Sequence, residues 1–181
     1  MGRSARIQLA GGVQHISTRG NLQAPIFLDD HDRHTFLEMV GAVVVRQRWQ
    51  CHAYCLMTNH YHALFETPEQ NLSAGMEWLN GCYARAFNRR HGRLGHLFER
   101  RFHSVLVEDD SQLFAVHRYL ALNPVRAKQV VQAEAWRWSS YAAVMGTAPM
   151  PAFLATGHVE TLGSVEDYRA LIASEAPSET A

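Results

Sequence analysis

CHAYCLMTNHYHALFET, residues 51 to 67, decides the fold. Two short apolar runs, CHAYCLM (51 to 57) and YHALFET (61 to 67), flank Thr58-Asn59-His60, the pattern of two strands joined by a tight hairpin. Side chains alternate between faces along a strand, so His60 and His62 share one face and Tyr61 takes the other. Two imidazoles side by side on a sheet face are costly to bury without partners, and a bound metal is the reading favoured over a satisfied core pair. A lone His15 or His52, by contrast, reads as a half-buried strand residue rather than a ligand.

Working outward, VQHISTRG (13 to 20) reads as a first strand closed by the turn pair Gly20-Asn21. Asp29 or Asp30 can cap a helix running to about Arg48, with Phe36, Leu37, Val40, Val43 and Val44 at three- and four-residue steps. After Pro68 a second helix is expected from about Asn71 to Arg90, its apolar side carrying Leu72, Met76, Leu79, Tyr83 and Phe87, with Gly92 ending it. RFHSVLVED (101 to 109) is the next strand. DSQLFAVHRYLALN (110 to 123) is a helix capped by Asp110 or Ser111 and closing before Pro124. The order strand, helix, strand, strand, helix, strand, helix predicts an α+β, ferredoxin-like (RRM-like) antiparallel sheet with helices on one face, plus an extra C-terminal helix that carries Tyr119. The main domain is expected over residues 1–131. An acidic extension, 132–181, follows, in which WRWSSYAAVMG and what comes after look partly helical and SEAPSETA a frayed terminus.

Composition sets bounds on what such a chain can do. With 181 residues, 47% of them hydrophobic, it suits one globular domain with an appendage. No apolar run approaches the roughly 20 residues that span a bilayer, and MGRSARIQLAGG lacks the apolar stretch of about 7–15 residues found in secretory signals, so a cytoplasmic, membrane-free protein is expected. Cys51, Cys55 and Cys82 are odd in number and read as reduced. Net charge is zero, yet residues 1–130 hold 15 Lys/Arg against 11 Asp/Glu while residues 131–181 hold 2 against 6, which makes the front +4 and the tail −4. Within the front, YARAFNRRHGRLGHLFERRFH (83 to 103) gathers Arg85, Arg89, Arg90, Arg93, Arg100 and Arg101 around one acid, Glu99. Such a cluster attracts phosphate backbones, although an arginine-rich helix face can also be merely solvated.

Tyr119 and Asn123, in RYLALNPVRA (118 to 127), are four residues apart and share a helical face. As an isolated pair they read more simply as a core aromatic and a helix-ending asparagine. With His-Tyr-His before them, the same residues resemble the HUH single-strand DNA endonucleases with one catalytic tyrosine, in particular the IS200-like REP-associated tyrosine transposases. The resemblance runs from about Gly11 to Val131, through GGVQHISTRGN, IFLDDHDRHTFLEMV, CHAYCLMTNHYHALFETP, LNGCYARAFNRRHGRLGHLFERRF and YLALNPVRA. It implies a divalent metal, Mg²⁺ or Mn²⁺, held by His60, His62 and Asn123, with Tyr119 as the nucleophile. It also implies cutting and rejoining of single-stranded DNA beside REP-like hairpins through a 5′-phosphotyrosine, by a monomer or homodimer. Tyr61 is a rival nucleophile that alternation points away from the metal face. Glu99-Arg100-Arg101-Phe102-His103 stands where relatives usually carry a glutamine, a small residue, an arginine, an aromatic and a lysine.

DNA contact is expected from Arg85, Arg89, Arg90, Arg93, Arg100 and Arg101, with stacking faces offered by Tyr83, Phe87, Phe98 and Phe102, some of them core. Arg3 and Arg6 are either an arm reaching a groove or a disordered basic start. Residues 146–181 read as a cover or as an autoinhibitory element whose removal would raise DNA affinity. The alternatives to a strand transferase are a non-catalytic nucleic-acid-binding regulator and a metal-dependent hydrolase that uses water in place of the tyrosine.

Overall fold

Residues 10–174 are described in a computed structural model. The elements run β1 (Gly12–Arg19), α1 (Asp30–Gln47), β2 (Gln50–Leu56), β3 (His60–Thr67), α2 (Leu72–His91), β4 (His103–Val107), α3 (Asp110–Arg126), α4 (Ser140–Val144), α5 (Gly157–Glu160) and α6 (Val165–Ala173). The four strands form one antiparallel sheet in the order β2-β3-β1-β4, the ferredoxin-like arrangement expected from the element order. Arg3, Arg6 and nearly all of the SEAPSETA terminus lie outside the described residues. Among those described, no helix is long and apolar enough to cross a membrane.

Alternation along the strands builds two apolar layers. On one face Ile16, Tyr54, Leu56, Tyr61, Ala63 and Phe65 meet Phe36, Val40 and Val43 of α1 and Leu72, Met76, Leu79, Tyr83 and Phe87 of α2. On the other, Ala53, Cys55 and Leu64 meet Leu113 and Leu120 of α3. Asp29 is the cap that starts α1, its side chain accepting from the Asp32 N–H at 3.0 Å. Asp109, one residue earlier than expected, does the same for α3 by accepting from Gln112 N–H. Gly75 is required in α2, because a Cβ there would lie 2.3 Å from the Trp49 ring.

α3 departs from expectation by running through Pro124 to Arg126 instead of stopping at Asn123. Proline deprives the helix of one donor, but Pro124 is itself buried and the next turn closes normally, Ala127 N–H donating to the Asn123 carbonyl at 2.9 Å. Asn123 is therefore an interior helix residue and not its cap. Packed on the outer side of α3 are Tyr141, Val159, Tyr168 and Ile172, with Ala121 beneath them, while Arg118 donates to the Leu171 carbonyl at 3.0 Å. Residues 136–140 also close the outer edge of β2: Leu56 N–H donates to the Trp138 carbonyl, Trp136 Nε1–H to the Leu56 carbonyl, and Tyr54 N–H to Ser140 Oγ.

Leu120 is 1% exposed between sheet and helix. Leu120→Ala is expected to cost about 2–5 kcal/mol, read as a lower urea midpoint at unchanged m. The hydrogen bond from Arg90, then that from the Asp32 N–H, hold the Asp29 carboxyl down to about 2. A depressed folded value stabilises above the unfolded value and is lost as pH falls through the folded one, so stability should drop over the window from about 4 to about 2. In Asp29→Asn, thermal melts across that window should slope less.

Candidate active site and nucleic-acid interface

β3 starts at His60, and β1 runs beside it in register, with Arg19 opposite His60 and Ser17 opposite His62. Alternation puts His60 and His62 on the α3 face, their ring centroids 5.1 Å apart, and sends Tyr61 into the core. Tyr61 is fully buried, its hydroxyl donates to Asn80 Oδ1 at 2.6 Å, and burial raises its pKa far above that of an ordinary phenol. It is excluded as a nucleophile by access and by ionisation. Tyr119, 37% exposed, reaches the histidines from α3, its ring centroid 5.1 Å from that of His62 and 5.8 Å from that of His15. One turn on, Asn123 hydrogen-bonds His60. The four residues expected to form the site are thus brought together.

Both imidazoles are held from behind. His60 Nδ1 lies 2.8 Å from Asn59 Oδ1, and His62 Nδ1 lies 3.1 Å from His15 Nε2. With the proton of each ring on the Nδ1 so engaged, the Nε2 lone pairs are left for a ligand, which is how outer partners fix the tautomer of metal-binding histidines. Burial, then the neighbouring His15, His60 and Arg19, bring His62 down to about 3. His60 is lowered by burial and by Arg19, against the opposing hydrogen bond of Asn123. Unprotonated imidazoles and an amide oxygen are donors suited to a divalent ion, so the residues present fit the metal that the sequence implied.

His60, His62 and Tyr119 border a cavity of about 290 Å³ that also takes in Arg19, Glu99, Arg100 and His103. Arg19, His15 and His103 were not singled out from sequence as site residues. The signal was available, since positions 15, 17 and 19 alternate onto one face, but it becomes decisive only once β1 is paired with β3. Arg126, whose guanidinium sits 5.7 Å from the Tyr119 ring centroid, was equally unmarked.

The arginine cluster divides. Arg85, Arg100 and Arg101 line a groove of about 620 Å³ along α2 and the loop after it, with Asn80, Asn88 and His96. Glu99 and Arg100 border both this groove and the tyrosine cavity, so the two adjoin. Arg90 is committed elsewhere: it binds Asp29 and Asp32, each at 2.6 Å, and Arg89 borders the same hollow between α1 and α2. Arg93 stands over the Phe87 ring at 5.6 Å. Of the aromatics offered as stacking faces, Tyr83, Phe87 and Phe102 are core residues and Phe98 alone is partly exposed.

Comparison with known proteins gives the family and the fold. A family model described as "Transposase IS200 like" matches residues 13–123, which is more than half of the chain. A REP-associated tyrosine transposase of Haemophilus influenzae is 28% identical over 100 residues, taking in 49% of this chain and 57% of that protein, so the chain spans less than two thirds of that relative. A solved structure of a REP-associated tyrosine transposase bound to a REP hairpin shares the fold with a TM-score of 0.68 at 17% identity, covering 86% of this chain and 93% of that one. The chain belongs to the IS200-like transposase family.

Proposed function

We propose that the protein cuts and rejoins single-stranded DNA beside hairpins, with Tyr119 as nucleophile and His60, His62 and Asn123 holding a divalent metal. The observation that carries this reading is the position of Tyr119, solvent-accessible yet with its ring centroid 5.1 Å from that of His62, in a cavity that adjoins the basic groove at Glu99 and Arg100. Mg²⁺ or Mn²⁺ on those donors would supply Lewis-acid stabilisation of charge on the scissile phosphate. The chain's own residues position the strand. Arg85 and Arg101 bind backbone phosphates along the groove, and Arg100 with Arg19 draws the scissile phosphate beside Tyr119. Tyr119 Oη forms a bond to phosphorus as the bond from phosphorus to the 3′ oxygen breaks. The proton lost by the tyrosine is balanced by the one that the 3′-hydroxyl gains through solvent. The ester energy stays in the 5′-phosphotyrosine, so a later 3′-hydroxyl can reverse the step without ATP.

Labelled hairpin-bearing single strands incubated with Mn²⁺ or Mg²⁺ should give a protein-sized adduct on a denaturing gel. Tyr119→Phe is expected to lose it by at least about 10³-fold while binding DNA about as well as the parent. A hydrolase would go on cutting in that variant, and a non-catalytic regulator would give no adduct with either chain.

The division of the arginines has its own test. Arg100→Ala should weaken DNA binding and reduce the slope of log affinity against log salt by about 1. Arg90→Ala should leave that slope unchanged and lower the melting temperature instead, because its partners are Asp29 and Asp32. Equal slope losses in both variants would contradict the division.

A further inference from the structure

A second histidine cluster lies toward the opposite end of β3. His52 of β2, Glu66 of β3 and His158 of α5 each offer a ligand atom within 4.8 Å of the others. His52 Nε2 is 2.9 Å from Glu66 Oε2, and the His52 and His158 rings stack with centroids 3.8 Å apart. From α3, His117 brings its ring to 6.1 Å from that of His158. Glu66 is four positions beyond His62 along β3, a span of about 13 Å, so this is a place distinct from the tyrosine cavity.

What marks the cluster is unspent hydrogen-bonding capacity. His52 Nδ1, His158 Nδ1 and His117 Nε2 are buried atoms with no partner among the described residues. His52 and His117 are 5% and 2% exposed. Buried polar atoms are nearly always satisfied, and three unsatisfied imidazole nitrogens on neighbouring rings call for a common explanation. Burial, with the adjoining imidazoles, lowers His158 and brings His117 down to about 3, which keeps their lone pairs free at neutral pH.

We propose that His52, Glu66 and His158 form a structural site for a zinc-like transition-metal ion that fastens the C-terminal segment to the sheet. Two imidazoles and one carboxylate are a usual zinc donor set, with water able to complete the tetrahedron. Bonds of about 2.0–2.1 Å place tetrahedral ligand atoms roughly 3.3 Å apart, a spacing between the 2.9 Å of His52 and Glu66 and the 4.8 Å that bounds the cluster. His117 borders the site from the middle of α3, two residues before Tyr119, so the ion would brace that helix as well as the C-terminal segment.

The test is zinc titration of the chelator-stripped full chain carrying His60→Ala and His62→Ala, which removes the competing pair. One Zn²⁺ per chain is expected, with a melting temperature higher by about 5–10 °C at a hundredfold excess over Kd. Adding His158→Phe, which keeps a ring stacked on His52 but has no ligand atom, should weaken binding at least tenfold and abolish the shift. In the chain with His60 and His62 intact, the same His158→Phe change should lower the bound zinc by one per chain. No zinc uptake by the doubly substituted chain, or uptake undiminished by His158→Phe in both backgrounds, would overturn the proposal.

Discussion

The docking of α3 on the sheet is the contact on which the candidate site depends. Leu113 and Leu120 pack on Leu64, Ala53 and Cys55, and that layer sets the height of the helix above the strand that carries His60 and His62. Tyr119 and Asn123 belong to α3, the histidines to β3, and no covalent feature links the two elements nearby. The geometry between Tyr119 and the two imidazoles is therefore only as well defined as this apolar layer. Its other side is held by Tyr141, Tyr168 and Ile172, so the helix is clamped between sheet and cover.

Strand alternation does the sorting at the site itself. A single residue, Tyr61, separates two histidines and goes to the opposite layer, where Asn80 and Thr18 meet its hydroxyl. That removes a competing phenol from the cavity and leaves the exposed Tyr119 as the one beside the imidazoles. Charge is sorted in a similar way. Arg90 neutralises the acids at the start of α1, while Arg85, Arg100 and Arg101 line the groove, so a run that looks uniformly basic in sequence is part scaffold and part groove wall.

The sheet and its flanking helices were legible because their signals are local: alternation in residues 60–67, aspartates before α1 and α3, and Gly92 in the left-handed conformation at the end of α2. The histidine pair and the tyrosine helix were legible for the same reason. What escaped depends on long-range pairing. Arg19 and His15 gain meaning only from the β1–β3 register, and His52 only from the irregularity between Cys51 and Ala53 and from His158, which is more than a hundred residues away. The end of α3 was misplaced because proline is a strong local stop, overridden here by burial of Pro124. Tyr83, Phe87 and Phe102 could not be divided between core and surface by residue type, since an aromatic serves either.

The covered edge of β2 also has a consequence in time. Tyr54 and Ser140, which pair across it, are 86 residues apart in the chain. At a synthesis rate of about 5–20 residues per second the ribosome needs roughly 4–17 s to make that stretch, and β2's outer row of amides and carbonyls has no native partner until then. Its inner neighbour, β3, is made at once, so the hairpin can form early with one side open. A nascent chain in this interval exposes a strand edge to other chains until the residues that close it, 136–140, are made after α3.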